Sequence, residues 1–141
     1  MTTASPAAPL YLDTSAVLRA VLETGTTPEV ESRIRAAPVL VTSRLSLVES
    51  ARAVLRVRML GDVSEQRLAV AEHEIEAVWM RCEIWELTRA VCDLARQVAP
   101  TKALRTLDAL HVATFVLARR KLEGLELVSV DARLVEAAGS P

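Results

Sequence analysis

Short apolar segments alternate with helical patterns along most of the chain, and this alternation limits the possible folds more than any other feature. The predicted strands are residues 10–13, 39–42, 83–87 and 125–130. Between them, apolar residues recur at the spacing of amphipathic helices. Strands that alternate with helices are typical of βαβ units, which build a parallel sheet covered by helices. We therefore predict an α/β domain with a mostly parallel sheet of four or five strands sandwiched by helices.

Capping and helix-breaking residues locate the predicted helices. The predicted helices start at residue 15 and then span 28–36, 46–60, 65–81, 88–98, 105–121 and 131–138. Gly25 is expected to end the first helix. Ser46 and Glu49 are interpreted as a capping box, in which each side chain bonds the backbone near the other. Residues 1–9 are rich in Thr, Ala and Pro and are predicted to be a flexible extension of a domain at 10–139.

Size and charge narrow the possible functions. The 141 residues fit one domain, and a net charge of −1 provides no overall basic field for nucleic acid. With one Phe, one Tyr and two Trp, stacking platforms for bases are not expected, so a nucleic acid would be held by its backbone.

The cysteines and the hydropathy pattern predict a cytoplasmic protein. Cys82 and Cys92 lack the spacing of zinc ligands and are interpreted as two buried thiols in a reducing cytosol. No charged leader followed by an apolar stretch is apparent. The longest uncharged run, near 109–118, is too short to span a bilayer, so no membrane association is expected.

Two acidic residues follow the first and last predicted strands. Asp13 comes at the end of the first strand, and Asp131 at the end of the last. Parallel sheets bind ligands beyond the carboxyl ends of their strands. If these two strands are neighbours, both carboxylates project into one crevice.

Two further acids interrupt apolar faces of predicted helices. Asp108 shares a helical stripe with Leu104 and Val112, and Glu49 has Val48 and other apolar residues around it. A carboxylate in such surroundings is costly to bury unless it is paired or ligates a metal.

Four carboxylates in one pocket would repel one another, and a hard dication would relieve that repulsion. Carboxylate oxygens suit Mg²⁺ or Mn²⁺. Such an ion polarises a phosphate and activates water, so the pattern favours hydrolysis of a phosphodiester. This chemistry needs no His base, Cys nucleophile or Gly-rich phosphate loop, and no such motif is visible in the sequence.

Each acid also has an ordinary structural explanation. Asp13 and Asp131 could cap helices, and Glu49 could serve only the capping box. Asp108 could pair with Arg105 or face solvent. Ser15 and Ser129 lie two residues from Asp13 and Asp131. Their hydroxyls could bond the metal-bound carboxylates, or they could be local capping and strand-end groups.

The role of the nearby basic residues stays open. Arg52 and Arg56 lie on the same helical face as Glu49 and could contact an RNA backbone or form a salt-bridged surface. Arg105 raises the same question. His111 and His73 are interpreted as structural residues and not as metal ligands.

Four segments together resemble a known family. They are Leu-Tyr-Leu-Asp-Thr-Ser-Ala at 10–16, Leu-Val-Glu-Ser-Ala-Arg-Ala at 47–53, Leu-Asp-Ala-Leu-His-Val-Ala at 107–113 and Val-Ser-Val-Asp-Ala-Arg-Leu at 128–134. In this order they resemble the successive motifs of PIN-domain proteins, and more closely those of the VapC toxins of bacterial toxin–antitoxin pairs. The resemblance covers about residues 10–139.

The resemblance implies a fold, an activity and partners. It implies a parallel sheet between helices and endonucleolytic cleavage of RNA, of the tRNA or ribosomal RNA class, that depends on Mg²⁺ or Mn²⁺. Asp13 and Asp108 would be the principal metal ligands, and Glu49 and Asp131 would complete the cluster directly or through water. It also implies a homodimer and inhibition by a VapB-type antitoxin. The segment Ser-Val-Asp at 129–131 departs slightly from relatives, many of which have Thr followed by a bulkier residue.

Two other classes of function fit part of the pattern. A PIN-like binding module without catalysis would be expected to have lost one or more of the acids, and all four are present. A phosphoryl-transfer Asp after the first strand, as in haloacid-dehalogenase-like phosphatases, would need a second acid where Ser15 stands. A response-regulator receiver would need an acidic pair on an earlier strand, and no earlier strand is predicted.

Overall fold

The computed structural model describes residues 6–22 and 28–139. Residues 1–5 of the extension and Gly25, the expected end of the first helix, lie outside the described residues.

In the described part of the chain, the sheet has four parallel strands. They are β1 (Leu10–Leu12), β2 (Leu40–Ser43), β3 (Cys82–Trp85) and β4 (Glu126–Val128), in the spatial order β3-β2-β1-β4. The predicted strands are confirmed, although each is shorter or shifted by one or two residues. The fold class predicted from the sequence is therefore confirmed.

The helices lie close to their predicted positions. They are α1 (Thr14–Leu22), α2 (Pro28–Ala36), α3 (Arg44–Leu60), α4 (Glu65–Arg81), α5 (Arg89–Ala95), α6 (Thr106–Lys121) and α7 (Ala132–Gly139). Ser64 caps α4 by accepting a hydrogen bond from the backbone N–H of Arg67, as predicted. The helix predicted over 88–98 ends earlier, and the chain then turns through Ala99, whose φ is 45°.

The start of α3 differs from the prediction. Its N-cap is Ser43, whose hydroxyl accepts a hydrogen bond from the N–H of Leu45. The capping box assigned to Ser46 and Glu49 is wrong, because Ser46 already lies inside the helix, where its hydroxyl oxygen is 2.8 Å from Oγ1 of Thr42. Ser46 and Glu49 therefore make contacts other than those of a capping box.

Alternation along β1 places the two hydrophobic cores on opposite faces of the sheet. Leu10 and Leu12 belong to one core, with residues of α1, α3 and α4 such as Trp79. Tyr11 points to the other face and packs with residues of α6 and α7, such as Phe115. Helices therefore cover both faces, and the ends of the strands are left open between them.

The cysteine prediction is only partly right. Cys82 is half-buried at the start of β3, but Cys92 is exposed on α5. The prediction that both thiols are buried is therefore wrong for Cys92. Within the described ranges, no helix is long and apolar enough to cross a membrane.

Candidate functional site: an acidic crevice at the carboxyl end of the sheet

The strand order creates a switch point beside β1. From β1 the chain moves to β2 and β3 on one side, whereas β4 pairs with the other side of β1. Asp13 follows β1 directly, and its backbone N–H donates to the carbonyl of Val128 at 3.0 Å. Ligands of open α/β sheets bind at such switch points, beyond the carboxyl ends of the strands. We call the region formed by Asp13, Glu49, Asp108 and Asp131 the acidic crevice.

Two serines donate hydrogen bonds to one oxygen of the Asp13 carboxylate. Asp13 as a residue is only 7 % exposed. Oδ2 accepts hydrogen bonds from Ser15 at 2.6 Å and from Ser129 at 2.8 Å. Each hydroxyl has a single hydrogen, so both are used on this oxygen even though the two Oγ atoms lie 3.3 Å apart. Oδ1 has no such donor among the described residues and lies 3.7 Å from Nε2 of His111.

Asp131 lies at the start of α7 and is connected to Asp13 through Ser129. Its backbone N–H donates to Ser129 Oγ at 3.0 Å, and its Oδ1 accepts from the backbone N–H of Arg133 at 3.0 Å. Burial raises the pKa of Asp131, but hydrogen bonds from Arg133 outweigh it, so the pKa lies below its ordinary value. Asp131 therefore bonds the first turn of α7, as one of the structural explanations expected, and also stands at the edge of the crevice.

Asp108, in the first turn of α6, is electrostatically connected to the other acids. Burial raises its pKa, and the negative charges of Asp131 and Asp13 raise it further. Its link to Arg105 is a backbone hydrogen bond, and within the described ranges no ion pair joins the two side chains. The charges of Asp13 and Asp131 therefore act on Asp108, and the positive charge of Arg133 partly opposes them.

Glu49 reaches the crevice from α3. Its Oε1 accepts a hydrogen bond from Thr14 at 2.9 Å and lies 2.6 Å from Nε2 of His111. Burial raises the pKa of Glu49, but the bonds from His111 and Thr14 prevail and hold it below its ordinary value. Glu49 is thus an ionised acceptor, which requires the hydrogen of this bond to lie on Nε2.

His111 is the residue that the sequence interpretation placed outside the site. It is 1 % exposed, and its other nitrogen, Nδ1, lies 2.9 Å from the hydroxyl of Tyr11. Its position three residues after Asp108, on a neighbouring part of the same helix face, was the one available signal. The contact with Glu49 joins residues 62 positions apart, and no local pattern predicts it.

The donor set fits a hard divalent cation, although the side chains do not form a finished coordination shell. Among the described His, Cys, Asp and Glu residues, no group of three is placed as a ready-made metal site. Asp13 Oδ1 and Glu49 Oε2 nevertheless have no hydrogen-bond donor in the described part of the chain. Carboxylate oxygens in a region of excess negative charge suit Mg²⁺ or Mn²⁺.

The three arginines considered as RNA contacts are exposed and unpaired within residues 6–22 and 28–139. Arg52 and Arg56 lie on α3 beyond Glu49, and Arg105 immediately precedes α6. No ion pair is found for any of them in that part of the chain, whereas Arg133 pairs with Asp131 at 3.4 Å. The salt-bridged surface that the sequence left open is therefore not seen at these three positions.

A separate apolar groove of about 670 Å³ lies between α3 and α4. Leu47, Val54 and Trp79 are among its lining residues, and none of the four acids belongs to the lining. The functional interpretation therefore depends on the carboxylates and not on a deep cavity.

Fold and site together define the class: a single α/β domain whose parallel sheet ends in an acidic crevice at its switch point. The family model for the PIN domain matches residues 10–140 of this chain. The chain therefore belongs to the PIN-domain family.

Solved structures agree with this fold at low sequence identity. PAE2754 from Pyrobaculum aerophilum is 21 % identical, with a TM-score of 0.66 over 95 % of this chain and 82 % of that one. VapBC2 from Rickettsia felis, bound to a DNA fragment from its promoter, is 12 % identical, with a TM-score of 0.59 over 87 % of this chain and 99 % of that one. No curated protein matches the chain. At these identities the likeness concerns the fold alone.

Proposed function

We propose that this PIN domain is an endoribonuclease that depends on Mg²⁺ or Mn²⁺. The observation that carries the proposal is the arrangement at the carboxyl end of the sheet, where Ser129 connects Asp13 and Asp131 through hydrogen bonds. Burial, together with the charges of these two acids, raises the pKa of Asp108. Carboxylates gathered at a strand-end switch point are costly to bury unless they are paired or hold a cation.

The acids divide into two groups in this proposal. Asp13 and Asp108 are the principal ligands, and Glu49 and Asp131 complete the cluster, directly or through water. When bound, a divalent cation would supply the positive charge that polarises a phosphodiester and activates water. Ser15 and Ser129 keep Asp13 in place by holding Oδ2, which leaves Oδ1 for the ion.

The proposed substrate is RNA, gripped by its backbone. Arg52 and Arg56 follow Glu49 along α3, and Arg105 precedes Asp108, so their exposed guanidinium groups flank the acids along the chain. Arginine suits this task because its planar fork matches phosphate oxygens. The tRNA or ribosomal RNA class rests on the resemblance to VapC toxins.

The proposed biological role is that of the toxin in a VapBC-type pair. The fold likeness to the VapBC2 structure and the four VapC-like motifs support a VapB-type antitoxin as partner. A homodimer, a cytoplasmic location and a catalytic domain at residues 10–139 are proposed on the same resemblance. Sedimentation analysis of the purified chain tests the homodimer. The same measurement with the protein encoded beside it tests the complex with an antitoxin.

Cleavage assays with matched acid variants test the activity. The wild type is expected to cleave tRNA and ribosomal RNA in Mg²⁺ or Mn²⁺ and to stop in EDTA. Asp13→Asn and Asp108→Asn remove a negative ligand at nearly constant size and are expected to abolish cleavage. Asp62→Asn, in the exposed turn after α3, is the control and should cleave like the wild type. Full activity of purified Asp13→Asn or Asp108→Asn, or cleavage that persists in EDTA, would reject the proposal.

A catalytically inactive PIN-like binding module is the second candidate. It is favoured by the absence of a ready-made group of three metal-binding side chains among the described residues. Calorimetric titration with Mn²⁺ separates the two candidates, because the nuclease must bind the ion at Asp13 whereas a module without catalysis need not. Sequencing of RNA 5′ ends after brief induction of the wild type and of Asp13→Asn would then locate the cleavage position.

A further inference from the structure

His111 is buried and its ring packs edge-on against Tyr11, yet it also contacts a carboxylate of the acidic crevice. Nδ1 lies 2.9 Å from the hydroxyl of Tyr11, and Nε2 lies 2.6 Å from Oε1 of Glu49. These partners come from β1 and α3, whereas His111 itself lies on α6. The imidazole therefore links α3 and α6, which carry Glu49 and Asp108, to β1, which Asp13 follows.

The hydrogen-bonding groups fix where the hydrogens lie. The Glu49 carboxylate only accepts, so Nε2 donates to it. The hydroxyl of the fully buried Tyr11 can then donate to Nδ1 of a ring that has its hydrogen on Nε2. The contact with Tyr11 is thus compatible with the tautomer that Glu49 needs.

The two oxygens of Glu49 are in unequal surroundings. Oε1 receives hydrogen bonds from both His111 and Thr14, whereas no donor reaches Oε2 among residues 6–22 and 28–139. Asp13 shows the same asymmetry, with two hydroxyl donors on Oδ2 and no donor from the described residues on Oδ1. Donors that occupy one oxygen orient a carboxylate and leave the other for a cation.

We propose that His111 is a positioning residue of the metal site, which holds Glu49 through Oε1 so that Oε2 stays available to the divalent cation. The proposal rests on the proposed function of the acidic crevice. A histidine that merely filled the core would affect stability but would not act through Glu49.

Variants of His111 separate these two roles. His111→Leu keeps the bulk but removes the donor, and we expect Mn²⁺ affinity in calorimetry to fall about 10- to 100-fold, with a lower kcat for RNA cleavage. His111→Gln can place an amide N–H near the position of Nε2 and should recover part of that loss. His73→Gln, on an exposed position of α4, is the control and should bind Mn²⁺ like the wild type.

A double-mutant cycle with Glu49→Gln gives the decisive readout. If His111 acts through Glu49, His111→Leu should change Mn²⁺ affinity much less in the Glu49→Gln background than in the wild type. An equal loss in both backgrounds, or no loss in either, would overturn the proposal. Should His111→Leu fail to fold, as a thermal melt would reveal, His111→Asn takes its place in the cycle, because its short amide does not reach Oε1.

Measurements on the wild type separate a failure of the proposed role of His111 from a failure of the proposed nuclease function. A wild type that neither binds Mn²⁺ nor cleaves RNA would reject the proposed function. A wild type that does both, beside His111 variants with unchanged affinity, would reject only the role of His111.

Discussion

Replacing Ser129 by Ala tests how the protein holds the central carboxylate of its site. The substitution removes the 2.8 Å hydrogen bond to Asp13 Oδ2 and the acceptor for the N–H of Asp131. A hydrogen bond to a charged group contributes about 1.5–3 kcal/mol net, and a neutral one at a partly exposed position contributes less. Ser15 still donates to Oδ2, which limits the damage. We expect the free energy of unfolding to fall by about 1.5–3 kcal/mol.

Urea unfolding in EDTA measures this effect without any contribution from bound metal. The double variant Ser15→Ala/Ser129→Ala should lose more than the sum of the two single variants, because it leaves Oδ2 of the buried Asp13 without a donor from either serine. Ser32→Ala, at an exposed position of α2, is the control and should change stability by less than about 0.5 kcal/mol. If Ser129→Ala and the double variant also changed stability by less than about 0.5 kcal/mol, the serines would not hold Asp13 as described.

Three further predictions follow from burial and charge. Burial and the charges of Asp131 and Asp13 raise the pKa of Asp108. The ionised carboxylate therefore destabilises the folded protein, and this loss of stability develops as the pH rises through the raised pKa. Asp108→Asn should therefore raise the melting temperature of the metal-free protein at pH 7 while abolishing cleavage; an unchanged or lower melting temperature would count against the electrostatic account. Leu68→Ala, at a position that is 1 % exposed, should lower the free energy of unfolding by about 2–5 kcal/mol in urea titrations, and a loss below about 1 kcal/mol would contradict the assigned core. Burial raises the pKa of the Cys82 thiol to about 12, so iodoacetamide at pH 8 should alkylate the exposed Cys92 first; equal rates by mass spectrometry would argue against this burial.

The elements of the fold could be predicted because their signals are local. The apolar segments and the cap at Ser64 are part of, or adjacent to, the elements that they specify. They predicted the positions of the strands and helices to within a few residues. The cap of α3 was misplaced because Ser43 and Ser46 both precede an apolar pattern. The structure uses Ser43 as the cap, and Ser46 lies inside the helix, where its hydroxyl contacts Thr42.

The candidate site could be predicted only in part. Asp13 and Asp131 were identified because they follow strands, but the pairing of β1 with β4 that makes them neighbours depends on strand order, which no local pattern encodes. The role of His111 depends on contacts with Tyr11 and Glu49, which are 100 and 62 positions away. A lone histidine on an apolar helix face does not reveal such partners from the sequence.

The most direct test of the metal-site assignment is the anomalous scattering of Mn²⁺ in a crystal of the wild-type protein. The account predicts a peak within bonding distance of carboxylate oxygens of both Asp13 and Asp108, and no such peak in Asp13→Asn. Crystals saturated with Mn²⁺ in which these two carboxylates point into different regions, with no ion between them, would contradict it.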